Sequence, residues 1–218
     1  VLLPLIDGQT DPTLATYAKE GECSLRIASK RASKKEAKTA VDEMVEKVKA
    51  IVGDYIYSYD DEEMIDVVGK LLLDKKITIA CAESCTGGLF AGALTDVAGI
   101  SEIFERGYVT YSCDAKETEL GVKAETIETF GVVSPEVAEE MAAGLAKKTG
   151  ADLNISVTGI AGPGGGSPDK PVGLAYIGIA YKGKVKSVKS YYRNVSRKWN
   201  RHYTLLSMLY EVYRLIKD

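Results

Sequence analysis

The sequence predicts an α/β fold, an α/β/α sandwich around a mixed sheet, preceded by a small α+β domain. Apolar, β-branched runs typical of strands alternate with amphipathic helical patterns over most of the chain, as in layered α/β proteins. Near the carboxyl end, two strand-like runs are separated by a turn at Gly183, so the sheet contains an antiparallel pair and is mixed. The 218 residues suffice for one medium domain and one small domain. We place these domains at residues 60–218 and 1–59.

The small domain combines one strong helix with two predicted strands. Residues 23–30 alternate between apolar and polar side chains, as in a half-buried strand. The helical pattern of residues 33–52 begins with a capping box, Ser33 followed by Glu36 three positions later. Residues 54–59 are predicted to form a second strand. Such a unit can bind RNA, but the chain shows neither a GxxG loop nor the aromatic pattern of an RNA-recognition motif, and we favour a structural role.

The larger domain alternates helices and strands in the order expected for a layered sheet protein. Helices are predicted at residues 60–73, 89–97, 125–130, 134–150 and 197–217, with a helix or turn at residues 115–119. Strands are predicted at residues 77–82, 108–112, 153–158, 172–181 and 184–192. Three of these strands run into segments that carry candidate functional groups. In α/β proteins, ligands collect at such strand ends.

The stretch of residues 77–90 is the centre of the functional interpretation. A short apolar strand runs into a turn of small residues at positions 83–88, and a helical pattern follows. The unpaired N–H groups and positive dipole of a helix start attract anions and developing oxyanions. Ser84 stands at this junction, where a hydroxyl either caps the helix, its commoner use, or attacks a substrate. Cys85 is a rival nucleophile if a helix start stabilises its thiolate, and a small buried side chain if not.

A serine nucleophile needs a base, and the sequence offers a lysine rather than a nearby histidine. His202 is the only histidine and is remote in sequence. Lys116 can act as the base if burial lowers its pKa; the alternative is a solvated surface lysine. Tyr111 can orient the pair or donate to an oxyanion. Thr158 precedes a glycine-rich loop at residues 159–166. The backbone N–H groups of this loop either bind a phosphate, or the loop is a mobile connection without a ligand.

Composition and charge exclude several classes of partner. The net charge of −3 gives no electrostatic reason to expect nucleic acid or an anionic membrane as a general partner. No apolar run reaches the length of a membrane span and no signal peptide is recognised, so we expect a cytoplasmic protein. The four cysteines find no second Cys or His pair to complete a zinc set. We therefore expect reduced thiols, no metal and no cofactor.

A basic cluster lies at the start of the last predicted helix. It consists of Arg193, Arg197, Arg201 and His202. We interpret it as a solvated or subunit-facing surface, and contact with a substrate phosphate is the less favoured alternative.

Four separated segments carry a family resemblance: AESCTGGLFAGALTDVAGIS, RGYVTYSCDAK, FGVVS and SVTGIAGPGGGSPDKPVGLAYIG. Together, in this order, they resemble the C-terminal domain of the CinA (competence- and damage-inducible) family, from about residue 62 to the end. The preceding segment resembles the family's linking domain, which is compared to a KH-type fold. The resemblance implies nicotinamide-mononucleotide amidase activity, with nicotinate mononucleotide and ammonia as products, in pyridine-nucleotide recycling. Full-length members also carry a domain similar to molybdopterin-binding proteins, associated with ADP-ribose pyrophosphatase activity, and we do not assign that chemistry here.

Carried over residue by residue, the resemblance implies an amidase with a serine nucleophile and a lysine base. The family's motif residues correspond to Ser84, Tyr111, Lys116 and Thr158. Substrate contacts are implied along the same motifs at Glu83, Cys85, Thr86, Gly87, Gly88, Arg106, Gly107, Gly159, Gly162, Gly164 and Gly165. In this hypothesis the backbone N–H groups of residues 85–88 hold the oxyanion, the threonine positions the amide, and the glycine loop meets the phosphate or ribose. Many family members have asparagine where this chain has Cys113, so a substrate contact at that position would differ here.

Two other functional classes remain open. A nucleotide-binding regulatory module without turnover would keep the glycine loop and use Ser84 as a cap. An interaction protein in competence or DNA repair is the second class, although the modest acidity argues against direct DNA contact, and nucleic acid is not expected as a partner. Because the family commonly pairs, we expect a homodimer.

Overall fold

Residues 1–192 and 196–218 are described by the structure, a computed structural model, and the chain divides into two units, Val1–Glu62 and Glu63–Asp218. The first unit is an antiparallel hairpin contacted by helices. Its elements are α1 (Leu3–Ile6), β1 (Thr13–Ala18), β2 (Cys23–Ala28), α2 (Lys34–Val52) and a 3₁₀ turn at Gly53–Tyr55. Its buried apolar side chains are few, with Leu14 from the hairpin and Met44 and Val48 from α2.

Sequence and structure agree on the helix of this first unit and differ on one strand. Ser33 caps α2 as predicted, since its hydroxyl accepts a hydrogen bond from the Glu36 amide at 3.2 Å. The predicted strand at residues 54–59 is wrong, because Gly53–Tyr55 forms the 3₁₀ turn and β2 pairs instead with β1. The pairing of two strands that are close in sequence closes a short loop, which costs less chain entropy than pairing across a 19-residue helix.

The second unit is a five-stranded mixed sheet with helices, which confirms the predicted fold class. Its elements are α3 (Met64–Lys75), β3 (Ile79–Glu83), α4 (Leu89–Thr95), β4 (Phe104–Val109), α5 (Cys113–Leu120), α6 (Ala124–Phe130), α7 (Pro135–Thr149), β5 (Leu153–Gly159), β6 (Leu174–Tyr181), β7 (Lys184–Tyr191) and α8 (Arg197–Ile216), with a 3₁₀ turn at Ile100–Glu102. The strand order is β4-β3-β5-β6-β7. Strand β3 is parallel to both neighbours, and β5, β6 and β7 are mutually antiparallel along the sheet.

Side-chain alternation along β3 assigns the helices to the two faces of the sheet. Ala80 and Ala82 belong to an apolar cluster completed by residues from α5, α7 and their connection: Leu120, Val122, Val137, Met141 and Leu145. Glu83 points to the opposite face, where its carboxylate meets the start of α4. Helices α3, α4 and α8 contact one another, and α7 contacts both α5 and α6, so the sheet lies between two helical layers.

Strand β4 lies earlier in the chain than the sequence predicts. The predicted strand at residues 108–112 is shifted, because pairing with β3 ends where Val109 meets Glu83, the last residue of β3. Ser112 instead caps α5, accepting a hydrogen bond from the Ala115 amide at 3.0 Å. Residues 110–112 therefore form a short connection at the carboxyl end of the sheet. This connection supplies part of the candidate site.

None of the helices formed by the described residues is both long and apolar enough to cross a membrane. The longest, α8, has 20 residues but carries charged side chains along its length. The four cysteines, all in the described part of the chain, are free.

Candidate active site

Ser84 follows the last residue of the central parallel strand and lies on the α5 side of the sheet. Because Ala80 and Ala82 face α5 and α7, the alternation of side chains directs the next even-numbered residue, Ser84, to the same side. Its amide donates to the Val157 carbonyl at 3.1 Å, so the β3–β5 ladder holds its backbone. Only 8% of Ser84 is exposed to solvent. The hydroxyl is therefore fixed at the sheet's carboxyl edge.

Lys116 reaches the Ser84 hydroxyl from the first turn of α5. Helical side chains point toward the amino end of their helix, so its stem runs back toward residues 110–112. The Lys116 Nζ lies 3.1 Å from the Ser84 Oγ and 2.7 Å from the Thr110 carbonyl oxygen, with the Tyr111 and Ser112 carbonyls at 3.3 and 3.5 Å. The structure thus joins the predicted serine and lysine in one hydrogen-bonded pair.

The environment of Lys116 favours its neutral form. The residue is fully buried, and burial lowers the pKa of its amine. Among the described residues, no carboxylate forms an ion pair with it. A neutral amine donates two N–H groups to carbonyls and keeps one lone pair, which can accept the Ser84 hydroxyl proton. The alternative of a solvated lysine is excluded.

Glu83, not Ser84, caps the helix that follows the turn. Its buried carboxylate accepts hydrogen bonds from the amides of Gly88, Phe90 and Ala91 at 3.0, 3.1 and 2.9 Å. A carboxylate at a helix start satisfies orphan N–H groups and complements the helix dipole. The capping alternative for Ser84 therefore does not apply, and Glu83 is occupied by the protein's own backbone.

Two backbone N–H groups beside Ser84, on the buried residues Cys85 and Thr86, are not used by the hydrogen bonds of the turn. The Gly87 amide donates to the Ser84 carbonyl at 3.1 Å, and the Gly88 amide donates to the carboxylate cap. Within the described structure, the amides of Cys85 and Thr86 have no acceptor. The turn needs left-handed backbone at Gly87 and Gly88, with φ values of +59° and +94°, which glycine adopts without strain.

Cys85 does not have the environment of a nucleophile. Burial raises the pKa of its thiol to about 12, so the thiol stays protonated at neutral pH. Its sulfur packs at Gly159, where an added Cβ would lie 2.9 Å from the Cys85 Sγ. Gly159 thus allows close packing between β5 and the turn. The structure supports the interpretation of Cys85 as a small buried side chain.

Tyr111 and Thr158 lie at the same edge of the sheet with their hydroxyls engaged. The Tyr111 hydroxyl accepts a hydrogen bond from Arg197 at 2.7 Å, and the residue is 58% exposed. The Thr158 hydroxyl, fully buried, donates to the Val132 carbonyl at 2.8 Å. Its oxygen retains acceptor capacity for a substrate N–H group. Because Val157 pairs with the last residue of β3, Thr158 is level with Ser84 across the two strands.

The glycine loop after β5 is held by side-chain contacts at Gly162 and is exposed to solvent at Gly164 and Gly165. The Gly162 carbonyl accepts a hydrogen bond from Arg197 at 2.8 Å, and a Cβ at Gly162 would overlap Val172. Gly164 and Gly165 are exposed, and no atom lies within 4 Å of a Cβ placed at Gly164. A ligand can therefore approach the backbone closely at that point.

The start of α8 contributes three site residues, and the sequence analysis assigned none of them to the site. Arg197 donates to the glycine loop and to the Tyr111 hydroxyl, Asn200 donates to the Ala161 carbonyl, and Arg201 donates to the Cys85 and Thr86 carbonyls. Arg197 is exposed and Arg201 is partly exposed, so these hydrogen bonds are made from the surface position that was predicted for the two arginines. Their spacing of four residues on one helix face was the available signal. Arg193, from the same predicted cluster, lies outside the described residues.

Arg106 and Gly107 lie away from the serine–lysine pair. They are opposite Ala80 and Cys81 in the body of β4. Arg106 is three residues, or about 10 Å, before the strand's carboxyl end. A Cβ at Gly107 would lie 3.2 Å from Ala91 of α4, so this glycine allows that helix to pack on the sheet.

Cys113 is exposed at the first position of α5. It lies one turn before Lys116 on the same helix. Among residues 1–192 and 196–218, no group of histidine, cysteine or carboxylate side chains is arranged to hold a metal ion.

Comparison with known proteins identifies both units. The model of the CinA C-terminal domain matches residues 61–216, and that of the damage-inducible protein CinA KH domain matches residues 1–58. A competence-damage inducible protein of Clostridium acetobutylicum is 50% identical over 189 residues, 87% of this chain and 46% of the relative. One from Clostridium perfringens is 47% identical over 205 residues, 94% of this chain and 49% of the relative. The chain thus spans about half the length of these relatives.

Solved structures of similar proteins agree with this assignment. A competence/damage inducible protein from Agrobacterium tumefaciens is 40% identical with a TM-score of 0.67, covering 72% of this chain and 98% of that one. A CinA superfamily protein from Klebsiella pneumoniae is 27% identical with a TM-score of 0.67, covering 71% of this chain and 96% of that one. This chain therefore belongs to the CinA family, with a CinA KH domain followed by a CinA C-terminal domain.

Proposed function

We propose that this chain hydrolyses the carboxamide of nicotinamide mononucleotide, giving nicotinate mononucleotide and ammonia. The observation that carries the proposal is the buried hydrogen bond of 3.1 Å between the Lys116 Nζ and the Ser84 Oγ. A serine paired with a lysine whose pKa is lowered by burial is a nucleophile–base pair, the arrangement that acyl transfer requires. The substrate is proposed from the family resemblance of the motifs that carry these residues.

The pair accounts for both halves of an amide hydrolysis. As the Ser84 Oγ attacks the amide carbon, its proton passes to the Lys116 Nζ and the carbonyl oxygen becomes an oxyanion. Collapse of this intermediate breaks the C–N bond, and Lys116 returns the proton to the leaving ammonia. Water then attacks the ester, giving one proton to Lys116, and the bond to Ser84 breaks as the serine regains it. Nicotinate mononucleotide leaves, and the pair is restored.

The surrounding groups supply the remaining requirements of this chemistry. The amides of Cys85 and Thr86 are the available donors for the oxyanion, since those of Gly87 and Gly88 are already engaged. Thr158 can accept a hydrogen bond from the carboxamide NH₂ group. The open backbone of the glycine loop provides N–H groups for the phosphate or ribose. The assignment of these contacts is part of the proposal.

A regulatory module without turnover would use the same fold differently. That interpretation makes Ser84 a helix cap, and the cap is instead the carboxylate of Glu83. It also gives no reason to bury a lysine without a carboxylate partner, which is costly for stability. Catalysis explains both features.

The direct test is ammonia release from nicotinamide mononucleotide by the wild-type chain and the Ser84→Ala variant, with and without a chelator. We expect turnover by the wild type in both conditions and a loss of at least about 10³-fold in the variant. The control is Ser101→Ala, which removes an exposed serine outside the cluster. Full ammonia release by Ser84→Ala would refute the nucleophile, and loss of wild-type turnover with the chelator would refute a metal-independent mechanism.

A further inference from the structure

One face of α8 holds both loops that border the serine. Arg197, Asn200 and Arg201 occupy positions i, i+3 and i+4 and therefore project from the same side of the helix. Arg197 and Asn200 bind carbonyls of the glycine loop, whereas Arg201 binds the turn that follows Ser84. Among the described residues, no carboxylate pairs with Arg201. Its guanidinium donates hydrogen bonds to the backbone of that turn.

The guanidinium of Arg201 spans two successive peptide groups. Its Nε lies 3.1 Å from the Cys85 carbonyl oxygen, and its Nη2 lies 2.5 Å from the Thr86 carbonyl oxygen. In a trans peptide the C=O and N–H groups point in opposite directions. Holding the Cys85 carbonyl therefore directs the Thr86 N–H away from the guanidinium. That N–H has no acceptor among the described residues.

The Ser84–Gly87 hydrogen bond closes the turn, but within the described structure only Arg201 binds its central Cys85–Thr86 peptide. The Thr86 hydroxyl is buried without a hydrogen-bond partner in the described structure, so its side chain does not anchor the residue. The next two residues, Gly87 and Gly88, are glycines with broad conformational freedom. A Cβ at Gly87 would lie 3.5 Å from the Arg201 Nη2, in ordinary van der Waals contact, so the guanidinium packs directly against this turn. The direction of the Thr86 amide thus depends on Arg201.

We propose that Arg201 is a positioning residue that aims the Thr86 N–H at the oxyanion formed on Ser84 attack. The inference rests on the amidase function proposed above and adds a residue that acts through the backbone. A cation at the carbonyl also polarises the Cys85–Thr86 peptide, which strengthens its N–H as a donor. Donors fixed in advance at the site of developing charge are among the largest contributions to acyl transfer.

The rival role for Arg201 is direct contact with the substrate phosphate. The two roles differ in kinetics, because a positioning residue acts on the transition state and a phosphate contact acts on substrate binding. Loss of positioning lowers kcat with little change in KM. Loss of a phosphate contact raises KM.

The experiment compares Arg201→Gln and Arg201→Lys with the wild type in two assays. One assay measures kcat and KM with nicotinamide mononucleotide. The other measures the rate at which a small fluorophosphonate without a nucleotide group labels Ser84. In that reaction the Ser84 Oγ–P bond forms, fluoride leaves, the proton passes to Lys116, and the phosphoryl oxygen needs the same donors. The control is Arg214→Gln, on the same helix, where the arginine pairs with Glu211 at 3.3 Å.

We expect Arg201→Gln to lower both kcat and the labelling rate by about 10²-fold, with KM changed less than about threefold. Arg201→Lys, which can reach one carbonyl, should have a kcat and a labelling rate between those of Arg201→Gln and the wild type. Arg214→Gln should match the wild type. If circular dichroism shows that Arg201→Gln does not fold, the comparison is made with Arg201→Lys. We expect its kcat and labelling rate to be about tenfold lower than those of the wild type.

Three results would overturn the inference: unchanged labelling in a folded Arg201 variant, a raised KM with unchanged kcat, or no labelling of the wild type. Labelling that depends on Arg201 in a wild type that releases no ammonia supports the positioning role and refutes only the proposed substrate. The two proposals can therefore fail separately.

Discussion

At the scale of single residues, the decisive feature is a lysine that the fold has removed from water. Lys116 is fully buried and surrounded by the Ser84 hydroxyl and the carbonyl of Thr110. Carbonyl acceptors alone stabilise an ammonium less than a carboxylate would, so the amine loses its proton more easily than in solution. The lowered pKa makes the amine a more available base than an exposed lysine.

The first residue-scale prediction concerns the pH dependence of turnover. Because burial lowers the pKa of Lys116, kcat/KM should rise with pH on an acid limb whose midpoint lies below the ordinary lysine value of 10.5. Lys116→Met should lose turnover by at least about 10³-fold and show no such limb. The control is Lys147→Met, which removes an exposed lysine. A limb of unchanged midpoint in residual Lys116→Met activity would contradict the assignment.

Stability gives an independent check of the same lowered pKa. Between the folded-state pKa of Lys116 and 10.5, the unfolded chain binds more protons than the folded one, so the free energy of unfolding rises with pH across this window. Lys116→Met lacks that contribution. In urea unfolding, the free energy of unfolding of the wild type should therefore increase relative to that of Lys116→Met as pH rises through the window. A difference that is independent of pH would contradict the lowered pKa.

At the scale of elements, the site depends on how closely α7 packs against α5. Gly144 in α7 makes this possible, since a Cβ there would overlap the carbonyl oxygen of Leu120 at the end of α5. Helix α5 carries Lys116, so its position sets the distance between the amine and Ser84. Gly92 in α4 is a useful contrast, because no atom lies within 4 Å of a Cβ placed there.

The element-scale prediction compares the two helical glycines. Gly144→Ala should lower the free energy of unfolding by about 2–3 kcal/mol and reduce turnover, because the added methyl group pushes α5 away. Gly92→Ala should leave turnover intact and stabilise the chain by up to about 1 kcal/mol, since alanine is the better helix former. Chemical denaturation and ammonia release provide the measurements. Equal stabilities of the two variants would contradict the packing argument.

At the scale of the whole molecule, the chemistry belongs to one of the two units. All the side chains gathered at the carboxyl edge of the sheet, from Glu83 to Arg201, lie in the unit Glu63–Asp218. This unit has its own mixed sheet and two helical layers. The unit Val1–Glu62 contributes none of the hydrogen bonds described at the site.

The whole-molecule prediction is that residues 63–218 form an active amidase without the first unit. A chain of that length buries enough apolar surface to fold alone. We expect the fragment to retain the kcat and KM of the full chain and to unfold cooperatively by circular dichroism. A folded fragment without turnover would show that the first unit contributes to catalysis, contrary to this prediction.

The sequence by itself determined most of the elements and the order of the site segments. Period-3.6 and period-2 patterns, the cap at Ser33 and the glycine turns are local signals, and helices and hairpins follow them directly. The motifs also named the serine and the lysine. The false strand at residues 54–59 shows the limit of such signals, because a strand also needs a free partner edge.

Only the tertiary structure decided which of the named side chains meet. Ser84 and Lys116 are 32 positions apart, and their contact follows from the pairing of β3 with β4 and the direction of α5. The contact between Arg201 and the turn joins residues 116 positions apart. The assignment of the helix cap to Glu83 rather than Ser84 depends on which face of β3 each residue occupies. Long-range contacts of this kind leave no periodic trace in the chain, since they arise from the packing of whole elements.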